Sequence, residues 1–237
     1  MNQKTLIIIP AYNEQDNILK TCTSIMEYNK NNKTNYDVIV INDGSIDNTQ
    51  EILEKNKIPH INLIHNLGIG GAVQTGYKYA YENNYDIAVQ FDGDGQHDIR
   101  YVKDLISGIE NGNDMVIGSR FIEQKSNFKS TKMRRVGINT ISFFIKLFTG
   151  KKIYDTTSGF RACNKNIIKN FSMFYPTEYP EPISTVEVIK SGFNVKEVPV
   201  EMNERIGGVS SIRSWKNAYY MINVILSIVI VSLRRYK

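Results

Sequence analysis

Apolar residues come in short runs separated by polar, glycine-bearing breaks, and the runs alternate between two periods. Lys4–Pro10 is a β-branched run closed by proline, the pattern of a strand buried on both faces. Asp16–Asn17 then open a helix running to about Lys30. Tyr36–Ile41 reads as a second strand, ending in Asn42–Asp43–Gly44–Ser45, with Asp47 beyond it and a helix through Glu51 and Leu53. Ile61–Ile64 is a short third strand, followed by the glycine-rich Asn66–Ala72 and a helix to about Glu82. Ile87–Phe91 is the fourth. This β–α–β–α order predicts an α/β fold with a mostly parallel, doubly wound sheet flanked by helices. Ligands of such sheets bind beyond the carboxyl ends of the strands, where Tyr12–Glu14, Asp43, and Asp92 with Asp94 fall.

The later chain is less regular. Met115–Ile117 reads as a strand leading to Gly118–Ser119–Arg120. Lys129, Lys132, Arg134 and Arg135 crowd one segment before an apolar helix, Ile138–Phe148; they suit a phosphate clamp or a solvated basic face, the lysines better the latter. Asp155–Arg161 reads as a polar, turn-like break. Tyr179–Pro182 introduces a helix through Val186, Val188 and Ile189, Val195–Val200 is a late strand, and Glu204–Ser210 is a flexible loop. Ala218 to Leu233 is a run of sixteen residues, apolar apart from Asn223, Ser227 and Ser232. That is short of the about 20 residues a spanning helix needs. Trp215, Tyr219, Tyr220 and Tyr236, with Arg213, Lys216, Arg234, Arg235 and Lys237, border the run. A helix lying in an anionic membrane surface and a helix packed on the body or on a second subunit both fit this pattern.

Composition adds bounds. The chain has 237 residues, 41% hydrophobic and 22% charged, which suits one globular α/β domain with a sizeable core. A net charge of +5 suggests anionic partners without requiring nucleic acid. Cys22 and Cys163 form no metal or disulfide pattern, and His60, His65 and His97 are too scattered for a zinc site. With two such cysteines a reducing cytosol is the expected setting, and Met1–Lys4 leads into a strand with no signal-peptide pattern.

The chemistry concentrates in Phe91–Asp92–Gly93–Asp94–Gly95–Gln96–His97. Residues two apart on a strand point the same way, so Asp92 and Asp94 can reach one centre. Two close carboxylates repel unless a cation or proton lies between them, and Mg²⁺ or Mn²⁺ suits such hard oxygens. Gly93 and Gly95 leave room for a ligand to approach the backbone. A solvated acidic turn has the same residue types. In the glycine loop, Gly68, Gly70 and Gly71 lack the spacing of a dinucleotide fingerprint, which would need glycine at Val73 and a place after the first strand. Close backbone packing at a helix start, or a phosphate there, remain open.

Taken together and in order, these motifs resemble the family 2 glycosyltransferases, inverting enzymes with a GT-A fold. The matching pieces are Pro10–Glu14, Asn42–Ser45, Asn66–Gly76, Phe91–His97, Gly118–Arg120, Thr157–Arg161 and Arg205–Ser210. The resemblance implies one GT-A domain over residues 1–212. Its donor-binding half covers about 1–120, its acceptor side about 121–212, and residues 213–237 form a membrane-associating or packing helix. Pro10, Tyr12, Glu14 and Asp43 would hold the base and ribose of a nucleotide diphosphate sugar of UDP, GDP or dTDP type, with Gly71 and Gly93 lining the donor. Asp92 and Asp94, helped by Gln96, would bind Mn²⁺ or Mg²⁺ on the diphosphate. Arg120, Arg134, Arg161, Arg205 and Ser210 would face phosphates of donor or acceptor. Glu181 is the candidate base, with Asp155 and Glu178 behind it; its distance from Gly192 resembles that of the catalytic aspartate in processive polysaccharide synthases. Two positions depart from the family pattern: Asn42 stands where a first aspartate is usual, and Ile69 where many relatives have lysine. The implied activity is metal-dependent transfer of a sugar to a membrane-presented, lipid-linked glycan. It would take place peripherally at the cytoplasmic face of the membrane, or otherwise in the cytoplasm. Transfer to polyprenyl phosphate, and a nucleotide-sugar-binding protein without catalysis, are the alternatives, and a homo-oligomer is left open.

Overall fold

The computed structural model describes residues 3–122, 132–202 and 214–234. Among these, the strands are β1 (Thr5–Ala11), β2 (Tyr36–Asn42), β3 (His60–Asn62), β4 (Ile87–Gln90), β5 (Met115–Ser119), β6 (Arg161–Asn164) and β7 (Val195–Pro199). The helices are α1 (Ile18–Asn32), α2 (Thr49–Lys55), α3 (Gly68–Glu82), α4 (Val102–Glu110), α5 (Lys132–Thr149), α6 (Lys165–Met173), α7 (Pro180–Lys190) and α8 (Ser214–Leu233). The strands form one sheet in the order β3-β2-β1-β4-β6-β5-β7. All pairings are parallel except those of β6, which runs antiparallel between β4 and β5. The chain winds outward from β1 through β2 to β3, then returns to the other side of β1 as β4. That reversal opens a crevice at the carboxyl ends of β1 and β4, the place where such sheets bind ligands.

Period-two alternation in the central strands feeds two cores. Ile7 and Ile9 of β1 pack with Ile18 and Ile25 of α1, Leu53 of α2 and Leu105 of α4. Leu6 and Ile8 face the opposite layer with Val73 and Tyr77 of α3, Ile168 of α6, Val186 of α7 and Ile141 of α5. Each fully buried aliphatic side chain contributes about 1.5–3 kcal/mol.

Three elements went unread in the sequence: α4, β6 and α6. The break expected over Asp155–Arg161 is a turn up to the start of β6, and its residues are packed inside: Asp155, Thr156, Ser158, Phe160 and Arg161 are all buried. Protein groups meet most of these polar atoms; Ser158 Oγ, for instance, donates to the Gly118 carbonyl at 2.6 Å, while Thr156 Oγ1 and Arg161 Nε have no protein partner among the described residues. The tail helix α8 buries Val224, Ile228 and Val231 in the second core, packed on α5 and α7. Its other side leaves Ile222, Leu226, Ile230 and Leu233 exposed. Among the described residues no helix is long and apolar enough to cross a membrane. The loop expected at Glu204–Ser210 lies outside the described residues.

Candidate active site

The nucleotide side of the crevice is built by the ends of β1 and β2, which pair in register with Pro10 opposite Ile41. Pro10 is buried and Tyr12 exposed just past it. The Glu14 carbonyl accepts the Asn17 and Ile18 N–H groups at 3.0 and 2.8 Å and so opens α1. Asp43 is almost wholly buried, and its Oδ1 accepts the Leu67 N–H at 2.7 Å. Burial pushes the Asp43 carboxyl above its ordinary range, against the N–H groups of Leu67 and Gly68. The glycine loop is thereby tied to β2. Gly70 permits close packing: a Cβ there would collide with the Pro176 carbonyl oxygen, with Thr177 Cα at 2.6 Å. At Gly71 an added Cβ would stand 2.5 Å from the Leu67 Cβ. Close backbone packing, one of the two readings of this loop, accounts for Gly70, while Gly71 makes way for the Leu67 side chain.

The acid pair sits differently from the sequence argument. β4 ends at Gln90, so Asp92 and Asp94 lie in the turn beyond it, and strand alternation does not orient them. Other contacts do. Gly93 lies against β1, where a Cβ would approach Pro10 O to 3.2 Å, and its carbonyl accepts Thr21 Oγ1 at 3.1 Å. Asp94 is buried, and its Oδ1 accepts the Gln96 N–H at 3.0 Å. The Asp92 N–H donates to His97 Nδ1 at 3.0 Å, and His97 Nε2 is 3.4 Å from Asp92 Oδ2. Burial pushes the His97 imidazole below its usual pKa, while the charges of Asp92 and Asp94 pull the other way. Gly159 lines the far side, where a Cβ would stand 2.8 Å from Gln90 Nε2 and 3.1 Å from Asp92 Oδ1. Among the described residues no group of three His, Cys, Asp or Glu side chains gathers to hold a metal. A donor set of two carboxylates beside a side-chain-free wall fits Mg²⁺ or Mn²⁺, which commonly completes its shell with substrate phosphates and water.

The basic and acidic residues opposite form two buried constellations. Arg120 donates from Nε and Nη2 to the two oxygens of Asp155, each at 2.7 Å, and from Nη2 to Thr157 Oγ1 at 3.1 Å. Both partners are buried, so Asp155, a reserve candidate for the base, is engaged by Arg120. Arg161 enters on β6, opposite Gln90. It is wholly buried, donating to Ser158 O at 2.7 Å, to Ser184 Oγ at 2.9 Å and more distantly to Glu181 O. Its Nε and both amide atoms of Gln90 are buried without a protein partner among the described residues. Glu181 stands in the first turn of α7, after Tyr179 at φ 51° and Pro180. Burial pushes its carboxyl up, Arg161 pulls it down, and Asp92 adds a smaller upward push. Glu178 is exposed. Arg134 is on α5 with its side chain outside the description, and Arg205 and Ser210 fall outside the described residues.

Sequence reasoning missed Gln90, Gly159 and the part played by His97. A glutamine closing the apolar run Ile87–Ala88–Val89 was the one legible signal.

A parallel sheet with an acid pair at its switch point and one antiparallel strand completing the site is the architecture of the GT-A glycosyltransferases. The chain belongs to glycosyl transferase family 2, whose profile matches residues 6–171. It is 34% identical over 216 residues to the UDP-N-acetylglucosamine–dolichyl-phosphate N-acetylglucosaminyltransferase of Methanococcus voltae, covering 82% of this chain and 84% of that one. It is 28% identical to the polyprenol monophosphomannose synthase of Mycolicibacterium smegmatis, covering 88% and 80%. Among solved structures, glucosyl-3-phosphoglycerate synthase of Mycobacterium tuberculosis, in complex with Mn²⁺, UDP and phosphoglyceric acid, superposes with a TM-score of 0.73. That match has 16% identity and covers 99% of this chain and 80% of that one. The protein is a glycosyltransferase.

Proposed function

We propose that the protein transfers a sugar from a nucleotide diphosphate sugar to a polyprenyl phosphate presented at a membrane surface. The observation that carries this reading is that relatives named for sugar transfer to dolichyl phosphate, or for making a polyprenol monophosphosugar, match over more than four fifths of the chain. It favours the phosphate acceptor over the lipid-linked glycan. The surface supports it. Val136, Phe143 and Leu147 on α5, and Ile222, Leu226, Ile230 and Leu233 on α8, are exposed at helical spacing on two helices that pack together. Exposed Lys146 and Arg234 accompany them, as an anionic lipid surface would favour.

In the reaction an acceptor phosphate oxygen bonds to the anomeric carbon as the carbon–oxygen bond to the nucleoside diphosphate breaks. Tyr12 offers a ring for the base, and Asp43 holds the turn beside it. Asp92 and Asp94 are the residues that would hold the divalent cation, with Gln96 beside them. When bound, that cation neutralises charge growing on the departing diphosphate, which lowers the barrier because the charge is greatest in the transition state. Arg134, Arg205 and Ser210 are assigned to the phosphates, and Arg120 and Arg161 to shaping the buried wall that faces them. An ionised phosphate needs no general base. A second reading keeps a sugar hydroxyl as acceptor. It is favoured by Glu181, a half-buried residue whose carboxyl is pushed above its ordinary range by desolvation, with a smaller push from Asp92, the profile of a proton acceptor.

The test is incubation with labelled UDP- and GDP-sugars, Mn²⁺, and either polyprenyl phosphate or a lipid-linked sugar. The expected product forms on polyprenyl phosphate and releases its sugar in mild acid, as a glycosyl phosphate does, and chelator or Asp94→Ala abolishes it. Label confined to an acid-resistant glycan would overturn the phosphate acceptor. Donor binding without turnover under every condition would point to a binding protein.

A further inference from the structure

We propose that His97 is a positioning residue for Asp92, fixing both the backbone and the carboxylate of that acid for metal binding. The inference rests on the reading of Asp92 as a metal ligand and deepens it.

The geometry is specific. Both ring nitrogens of His97 address the same residue: Nδ1 accepts the Asp92 N–H at 3.0 Å, and Nε2 lies 3.4 Å from Asp92 Oδ2. A nitrogen that accepts an N–H carries no proton, so the proton of the neutral ring is on Nε2, whose 3.4 Å approach to the carboxylate is an electrostatic contact rather than a hydrogen bond. The ring cannot easily turn away. Phe160 stacks on it with centroids 4.6 Å apart and planes 17° apart, and Phe91 meets it edge-on at 5.3 Å. Phe160 and Phe91 are themselves buried in the core, and His97 is 6% exposed. The His97 backbone also bridges to Met202, which ties the acid turn to the segment after β7.

Closing the turn needs only one of these contacts, and filling the space needs neither. A phenylalanine would occupy much the same volume. What the imidazole adds is two contacts to one residue: the main-chain bond sets where Asp92 starts, and the polarised Nε2 edge draws its carboxylate to one side. The carboxylate lies close against Gly159, where an added Cβ would press on Oδ1 at 3.1 Å and Oδ2 at 3.4 Å. Partners of this kind, behind the ligands themselves, typically alter metal affinity about 10–100-fold when removed.

The experiment separates the two nitrogens. In His97→Asn the side-chain oxygen replaces the Nδ1 acceptor, and in His97→Gln the amide nitrogen replaces the Nε2 donor. His97→Phe keeps the shape and neither contact. Mn²⁺ affinity is read from the free-ion electron paramagnetic resonance signal, alone and with UDP, and urea unfolding is followed on the same samples. His97→Phe is expected to weaken Mn²⁺ binding about 10–100-fold. His97→Gln should recover most of that loss, whereas His97→Asn should recover unfolding midpoint without recovering affinity. Wild-type Mn²⁺ affinity in His97→Phe, with Asp92→Asn impaired, overturns the role of His97 alone. Should His97→Phe fail to fold, equal Mn²⁺ affinities in the Gln and Asn variants overturn it instead. Undiminished binding in Asp92→Asn overturns the metal-site reading and this inference with it.

Discussion

Arg120 and Asp155 show how little a residue's type says about its task. A buried arginine with both carboxylate oxygens of one aspartate is a closed pair, and its value lies mostly in the harm done by opening it. Asp155→Ala should destabilise the fold by about 3–5 kcal/mol in urea unfolding, because it leaves a buried guanidinium uncompensated. Replacing both residues with apolar ones of similar volume should recover much of that loss. Glu181 is the opposite case. Burial raises its carboxyl, so the folded chain holds the proton more tightly than the unfolded one. The stability this gives is fully present below the unfolded pKa and lost as pH rises through the folded value. Glu181→Gln should therefore gain in melting temperature relative to wild type as pH is raised from 4 toward 7, measured by calorimetry. The same variant reads the acceptor: turnover should change little with polyprenyl phosphate, but fall about 10²–10⁴-fold if a hydroxyl must be deprotonated.

Elements are legible in sequence where hydrophobic periodicity is long or where glycine and proline punctuate it. β1, β2 and β4 are near-continuous apolar runs, and a glycine cluster marks the start of α3. β6 has no such mark. Its four residues are polar at both ends, and it is a strand only because β4 and β5 offer it backbone partners on either side. α4 is short, and α6 depends on Asn164, whose side chain accepts from the Asn166 and Ile167 N–H groups. The site was legible in the same uneven way. The acids, Asp43 and Glu181 could be pointed to from motif order, but the pairing of Arg120 with Asp155 and the two contacts of His97 to Asp92 are facts of the folded chain. The α3 junction carries its own prediction. Gly70→Ala should place a methyl group against the Pro176 carbonyl and cost about 1–3 kcal/mol. Because the displaced segment leads into Tyr179 and α7, turnover should fall as well, which a kinetic assay of the folded variant measures.

At the level of the whole molecule, α8 is both structure and surface. Deleting it would uncover Val224, Ile228 and Val231 and their partners on α5 and α7, so truncation confounds folding with membrane binding. Changing Ile222, Leu226 and Ile230 together to serine leaves that inner face intact. Cosedimentation with anionic vesicles should weaken roughly tenfold or more, since each buried aliphatic contributes about 1.5–3 kcal/mol. The urea midpoint should barely move. Unchanged cosedimentation would remove α8 from the membrane contact. The position of β6 has a consequence for biosynthesis. β4 cannot gain its second neighbour until Asn164 has left the ribosome, so the first half of the protein emerges with an open sheet edge. Nascent chains halted before that residue would be clients for chaperones, and a gene divided between the two halves would have to reunite its products before that edge was covered.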